Sequence, residues 1–204
     1  NPNNESSPRN PITDYGLSKK AEEDLAFSYM DRLPIVILRP PVVYGERDTD
    51  VYLFFKTVKS HLIPLIGYTP KAISLVHVKD LVHGFYLAAI TEISKGQTYF
   101  IGGDRDEYNW QELGKLASQN LQVKAISLRV PHFIIFIAAY IYEFIGKLSG
   151  MAVIFNKQKA REMVCESWSC SSQKAKKDLG YIPKLTVEDG FKRTISWYRD
   201  NAWL

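Results

Sequence analysis

At 204 residues the chain is long enough for one sizeable core or a little more, since compact domains peak near ~100–150 residues. Hydrophobic residues make up 46% and charged residues 24%, with 10 Pro and 12 Gly, which excludes wholesale disorder and collagen-like structure. Lys and Arg outnumber Asp and Glu by 26 to 22, but no basic block gathers the +4 charge, so nucleic acid is not expected as a partner.

The opening stretch Asn1 to Pro11 is polar and Pro-rich, with no initiator Met and neither the basic start nor the apolar run of a signal peptide. It reads as the later part of a longer protein. Tyr15 to Arg32 follows with Leu17, Ala21, Leu25 and Tyr29 at helical spacing, and Thr13 or Asp14 is positioned to cap it. Pro34 to Arg39 is a short β-branched run closed by Pro40-Pro41, the pattern of a buried parallel strand. Val42 to Asp48 reads as a loop at that strand's C-terminal end, where open α/β sheets place ligands. Val51–Ser60 reads as a helix and Ile73–Val78 as a strand, with Asp80 capping a helix over Leu81–Thr91. Gln97–Ile101 is a strand, Asn109 caps a helix to about Asn120, and Val123–Leu128 is a further strand. Phe133 to Tyr142 carries no charge; ten residues fall well short of the roughly 20 of a membrane span, so a buried helix is expected, with a surface-dipping or partner-binding helix as the alternative. Gly180 stops a short helix after Ser171, and Val187 to about Asn201 is a last helix with Phe191, Ile195 and Tyr198 on one face.

Among residues suited to chemistry, Tyr15 and Lys19 stand four apart, on one face of a helix, where an ammonium can favour a phenolate. Any exposed polar pair at that spacing shares this geometry, so a surface-polar reading stands beside the catalytic one. Cys165 and Cys170 have no second Cys pair or neighbouring His and read as reduced thiols; His61, His83 and His132 lack metal-ligand spacing.

Tyr15-Gly16-Leu17-Ser18-Lys19, then Leu38-Arg39-Pro40-Pro41-Val42-Val43-Tyr44-Gly45, then Val76-His77-Val78-Lys79-Asp80-Leu81-Val82-His83-Gly84, resemble in order and spacing the extended short-chain dehydrogenase/reductase family. That group includes NAD-dependent epimerases and dehydratases, dihydroflavonol reductases and 3β-hydroxysteroid dehydrogenases. The resemblance extends to Lys174–Pro183 and the closing helix, so it covers nearly the whole chain. It implies an α/β fold: the C-terminal part of a Rossmann-type parallel sheet with a smaller mixed α/β substrate domain. Residues 1–45 would be a remnant of the NAD(P)-binding domain with the catalytic helix, and 46–204 mainly substrate-binding, with 73–95 returning to the Rossmann part.

By the same resemblance Tyr15 and Lys19 are the catalytic pair. Tyr15 is the proton donor or acceptor, and Lys19 bonds the nicotinamide ribose of NAD or NADP. Pro40, Pro41, Val42 and Val43 pass the nicotinamide end. His77 matches a second-domain motif, or simply closes a strand. The Gly-x-x-Gly-x-x-Gly turn that opens such proteins is not found in residues 1–204, and Ser6 and Ser7 lie too close to Tyr15 to replace the family's upstream Ser or Thr, so the resemblance implies a C-terminal portion lacking the N-terminal glycine-rich part, inactive alone. The parent is expected to be an oxidoreductase acting on a secondary alcohol or ketone. Alternatives are a nucleotide-sugar epimerase or dehydratase, with Arg47 and Lys71 near a diphosphate, and a non-catalytic binding or assembly protein. The apolar run with its flanks Val130–His132 and Gly146–Gly150 resembles the lipophilic-substrate branch of the family more than the sugar-nucleotide branch. Further expectations are a small-molecule substrate, a homodimer, a cytoplasmic location, and no favoured membrane contact through residues 133–145.

Overall fold

The computed structural model describes residues 2–149, 153 and 155–204, so Gly150 of the flanking motif and Asn1 lie outside the described residues. Helix α1 (Asp14–Ser28) begins where the Thr13 hydroxyl accepts the Gly16 N–H at 3.2 Å, and it ends four residues before the expected Arg32. None of its residues is buried, and Leu17 and Leu25 are exposed.

Strand β1 (Ile37–Arg39) follows, then β2 (Val42–Tyr44), which occupies what the sequence reads as loop. The Pro40-Pro41 pair interrupts one extended run without ending it, because proline only removes ladder donors and does not forbid β geometry. Helix α2 (Asp50–Lys59) leads to β3 (Leu62–Ile66), a strand the sequence pattern did not announce. The expected strand over 73–78 divides at Ser74 into β4 (Ala72–Ile73) and β5 (Leu75–His77). Next come α3 (Val78–Ile90), β6 (Thr98–Phe100), β7 (Tyr108–Asn109), α4 (Trp110–Leu121) and β8 (Ile126–Val130). The chain closes with α5 (His132–Ser149), α6 (Lys157–Val164), β9 (Ser167–Trp168), α7 (Gln173–Leu179) and α8 (Val187–Asp200).

The architecture is α/β. β1 pairs parallel to β6, β2 to β5 and β3 to β8, while β4 runs antiparallel to β7 and parallel to β9. Strand periodicity divides the interior. On β5, Leu75 faces a core built from Tyr44, Phe55, Leu113, Phe191 and Tyr198, whereas its neighbour Val76 faces a second core with Tyr99, Ile101, Leu179 and Tyr181. The β2–β5 pair therefore lies between the two cores.

Two expectations are corrected. Asp80 does not cap α3: the His77 ring does, its Nδ1 accepting the Lys79 N–H at 3.2 Å. The buried carboxylate of Asp80 instead accepts the N–H groups of Lys184 (3.0 Å) and Leu185 (3.1 Å), tying α3 to the approach to α8. The apolar run at 133–142 is not a buried helix. It belongs to α5, of which only Ala139 and Gly146 are buried, and which is long and apolar enough to cross a membrane by length and composition.

Candidate active site

Tyr15 and Lys19 occupy the first two turns of α1, one above the other on its surface. Tyr15 is 69% exposed, and the Lys19 Nζ stands 5.8 Å from the centre of its ring. That ammonium is held by the Glu22 carboxylate at 2.8 Å, a hydrogen bond whose charge raises the lysine's pKa above its ordinary value. The N-terminus of α1 is also fixed from outside the helix. The Asp14 N–H donates to Gln158 Oε1 at 2.9 Å, and the Thr13 hydroxyl donates to Glu162 Oε1 at 3.3 Å, both on α6.

One turn beyond Lys19, Glu23 reaches to the sheet. It accepts from Arg39 Nε at 2.8 Å and Nη2 at 2.6 Å, and from Arg9 Nη1 at 3.3 Å. Burial raises the Glu23 pKa, but the hydrogen bonds and charges of Arg39 and Arg9 outweigh it and hold the carboxyl below its usual range. Arg39 immediately precedes Pro40 and Pro41, with Val42 and Val43 opening β2. Pro40 and Val42 are exposed. The four-residue stretch thus lies at the C-terminal end of β1, and the fork of Glu23 and Arg39 couples it to the helix bearing Tyr15 and Lys19.

Beyond β2 the backbone turns at Gly45, whose φ of +150° and closeness to Val78, 2.6 Å from a would-be Cβ to Cγ1, leave no space for a side chain. Glu46 follows. It accepts from Arg193 Nε at 2.5 Å and lies 3.5 Å from the His77 Nε2, the one buried side-chain polar atom among the described residues with no hydrogen-bond partner. Burial lowers the His77 pKa more than Glu46 and Asp80 raise it, so the ring is neutral near pH 7. His77 thus closes a strand and caps a helix.

Two surface grooves, of about 580 and 450 Å³, are lined respectively by residues that include Glu5, Asp106 and Lys174 and by residues that include Glu46, Arg193 and Trp197. Neither includes Tyr15, Lys19 or Pro40–Val43. Of the basic residues considered for a diphosphate, Lys71 is removed: it is buried, its Nζ donates to the Cys165 carbonyl at 2.8 Å, and burial lowers its pKa. Arg47 stays exposed. Cys165 and Cys170 are free thiols, the buried Cys170 pushed up to about 11, and the described residues hold no cluster suited to a metal. Sequence reading missed Glu23, although its place four residues after Lys19 and eight after Tyr15 puts it on the same helical stripe.

Parallel strand pairs with helices packed on them define an α/β fold of the Rossmann-like kind. The chain belongs to the NAD dependent epimerase/dehydratase family, whose model matches residues 1–102. The match begins at the first residue and occupies the N-terminal half. This corrects the expectation that the family resemblance describes a C-terminal portion lacking the N-terminal part. The chain is 29% identical to a ceramide reductase of Caulobacter vibrioides over 95% of its own length and 59% of the reductase. It is 28% identical to the UDP-glucose 4-epimerase of Vibrio cholerae over 90% of its length and 53% of that enzyme. The chain thus spans little more than half the length of these curated relatives. Its fold is similar to that of a dTDP-glucose 4,6-dehydratase from Streptomyces venezuelae solved with NAD, with a TM-score of 0.71, 24% identity, and coverage of 98% of this chain and 55% of that one.

Proposed function

We propose that the whole protein is an NAD-dependent enzyme that transiently oxidises a secondary alcohol of a nucleotide-bound sugar, as an epimerase or dehydratase does. The observation that carries this reading is the exposed Tyr15–Lys19 pair, coupled through Glu23 and Arg39 to the Pro40–Val43 stretch, in a chain of this family. The open phenol, the ammonium beside it and the apolar Pro40–Val43 surface fit the nicotinamide end of a dinucleotide. The bound nicotinamide supplies the hydride acceptor. Tyr15 would take or return the hydroxyl proton, and Lys19 beside it would hold the ribose. Pro40, Pro41, Val42 and Val43 would line the nicotinamide end. Residues 1–45 and 73–95 form the cofactor side, and the rest of 46–204 mainly the substrate side. The whole protein works as a homodimer, for which the unburied apolar positions of α1 offer a surface.

A second reading is favoured by one specific observation, the apolar outer face of α5, together with the similarity to a ceramide reductase: a reductase of a lipophilic ketone or alcohol. Incubating the whole protein and NAD(H) with UDP-glucose, dTDP-glucose and a keto-sphingolipid separates them. The sugar reading predicts epimerised or dehydrated product from a nucleotide sugar with no net change in NAD. Net nicotinamide turnover confined to the lipid contradicts it and selects the second reading.

A further inference from the structure

Helix α5 is amphipathic in the wrong sense for a soluble surface. Its inner side, marked by Ala139 and Gly146, packs on α6, and Glu143 there receives Lys147 at 3.5 Å and Lys157 at 3.7 Å. The opposite side presents Phe133, Ile137, Tyr140, Ile141, Phe144 and Leu148 at spacings of one, three and four, each more than half exposed. From Phe133 to Leu148 this makes an apolar stripe about 24 Å long. Single exposed apolar residues need no explanation, but a continuous stripe along a whole helix does.

Charge indicates what covers it. Across residues 131–164, Lys147, Lys157, Lys159 and Arg161 face only two carboxylates, Glu143 and Glu162, whereas the whole chain is nearly balanced at 26 to 22. Both carboxylates are already paired with lysines. The cations border the stripe: Lys157 Nζ stands 4.4 Å from the centre of the Tyr140 ring, and Lys147 lies one turn beyond Phe144. An apolar stripe edged by aromatic rings and cations without spare acids complements an anionic lipid surface. A second copy would bring the same cations and no further acid. A span is disfavoured because it would carry Glu143 and its two lysines into hydrocarbon.

We propose that the outer face of α5 lies in the plane of an anionic membrane surface, with its apolar stripe in the headgroup boundary and Lys147 and Lys157 at the phosphates. The proposal is independent of the reaction assigned above.

Flotation of the full chain with phosphatidylcholine vesicles, with and without phosphatidylglycerol, tests it. The chain is expected to float with the anionic vesicles and about tenfold less with the zwitterionic ones, and to be released by salt. Ile137→Asp with Phe144→Asp abolishes flotation while circular dichroism is unchanged. Lys147→Gln with Lys157→Gln, which leaves the stripe intact, weakens it by about tenfold or more. Absence of flotation, flotation indifferent to either pair, or a wild-type dimer that dissociates in Ile137→Asp/Phe144→Asp without vesicle binding overturns the proposal, the last in favour of a second copy.

Discussion

Glu23 and Arg39 form a two-point fork, 2.8 and 2.6 Å, between a helix that buries none of its own residues and the strand it lies beside. With little apolar burial to hold α1, its position rests on polar contacts: this fork and the Arg9 pairs in its second half, and the α6 contacts to Thr13 and Asp14 at its start. Charge-assisted bidentate pairs are directional, so the fork sets the rotation of the helix as well as its distance.

Glu23→Gln is expected to lower stability by roughly 1 kcal/mol, a value reduced by the pair's partial exposure. The pH dependence has a definite sign. The folded Glu23 carboxyl lies below its ordinary value near 4.5, so the unfolded chain takes up the proton first on acidification. The contribution is complete above about pH 4.5 and is lost as pH falls through the folded value. Urea denaturation of both proteins across this range should show their difference shrinking with acid; a constant difference would assign the effect to packing.

His77 titrates in the other chemical sense. Its neutral ring is favoured in the fold, so protons bind the unfolded chain first below about pH 6.5 and stability falls as pH drops through that region. His77→Gln should flatten the loss between neutral and mildly acidic pH in thermal melts. An unchanged slope would mean that another group titrates there.

Asp80 satisfies two backbone donors from inside the fold. Asp80→Ala leaves both N–H groups unpaired and should cost about 1–3 kcal/mol, and Asp80→Asn, which keeps one acceptor, should cost less. Equal losses would show that the carboxylate's charge, not its geometry, matters.

Gly190 lies where α8 crosses Tyr44. A Cβ there would stand 2.1 Å from the tyrosine Oη and 2.8 Å from Cζ. Gly190→Ala should destabilise by about 1–3 kcal/mol, with partial rescue by Tyr44→Phe. Calorimetry of the two single variants and the double variant checks this; strictly additive losses would refute the contact.

Much of this was legible in the sequence because it is local. Asn109 caps α4 through the Glu112 N–H at 2.8 Å, Gly180 stops α7 at a φ of +64°, and Phe191, Ile195 and Tyr198 are buried on one face of α8, all written in spacing and residue type. The misses are tertiary. β3, which the pattern did not announce, becomes a strand by pairing with the expected strand β8 about sixty residues away, and β2 continues past two prolines because β5 lies alongside. The apolar content of α5 was visible, but not the side that faced inward; only packing against α6 decides that. Tyr15 and Lys19 stood out by motif, whereas Glu23 gains its meaning only once Arg39 is folded against it.

In the proposed reaction Tyr15 moves the proton at the substrate hydroxyl. The most direct measurement compares kcat and NAD affinity of the whole protein and its Tyr15→Phe variant on the nucleotide sugar or lipid that the wild type turns over. Loss of the hydroxyl alone should lower kcat by about 10²–10⁴-fold while NAD binds as before. A variant that turns over at the wild-type rate would contradict the account.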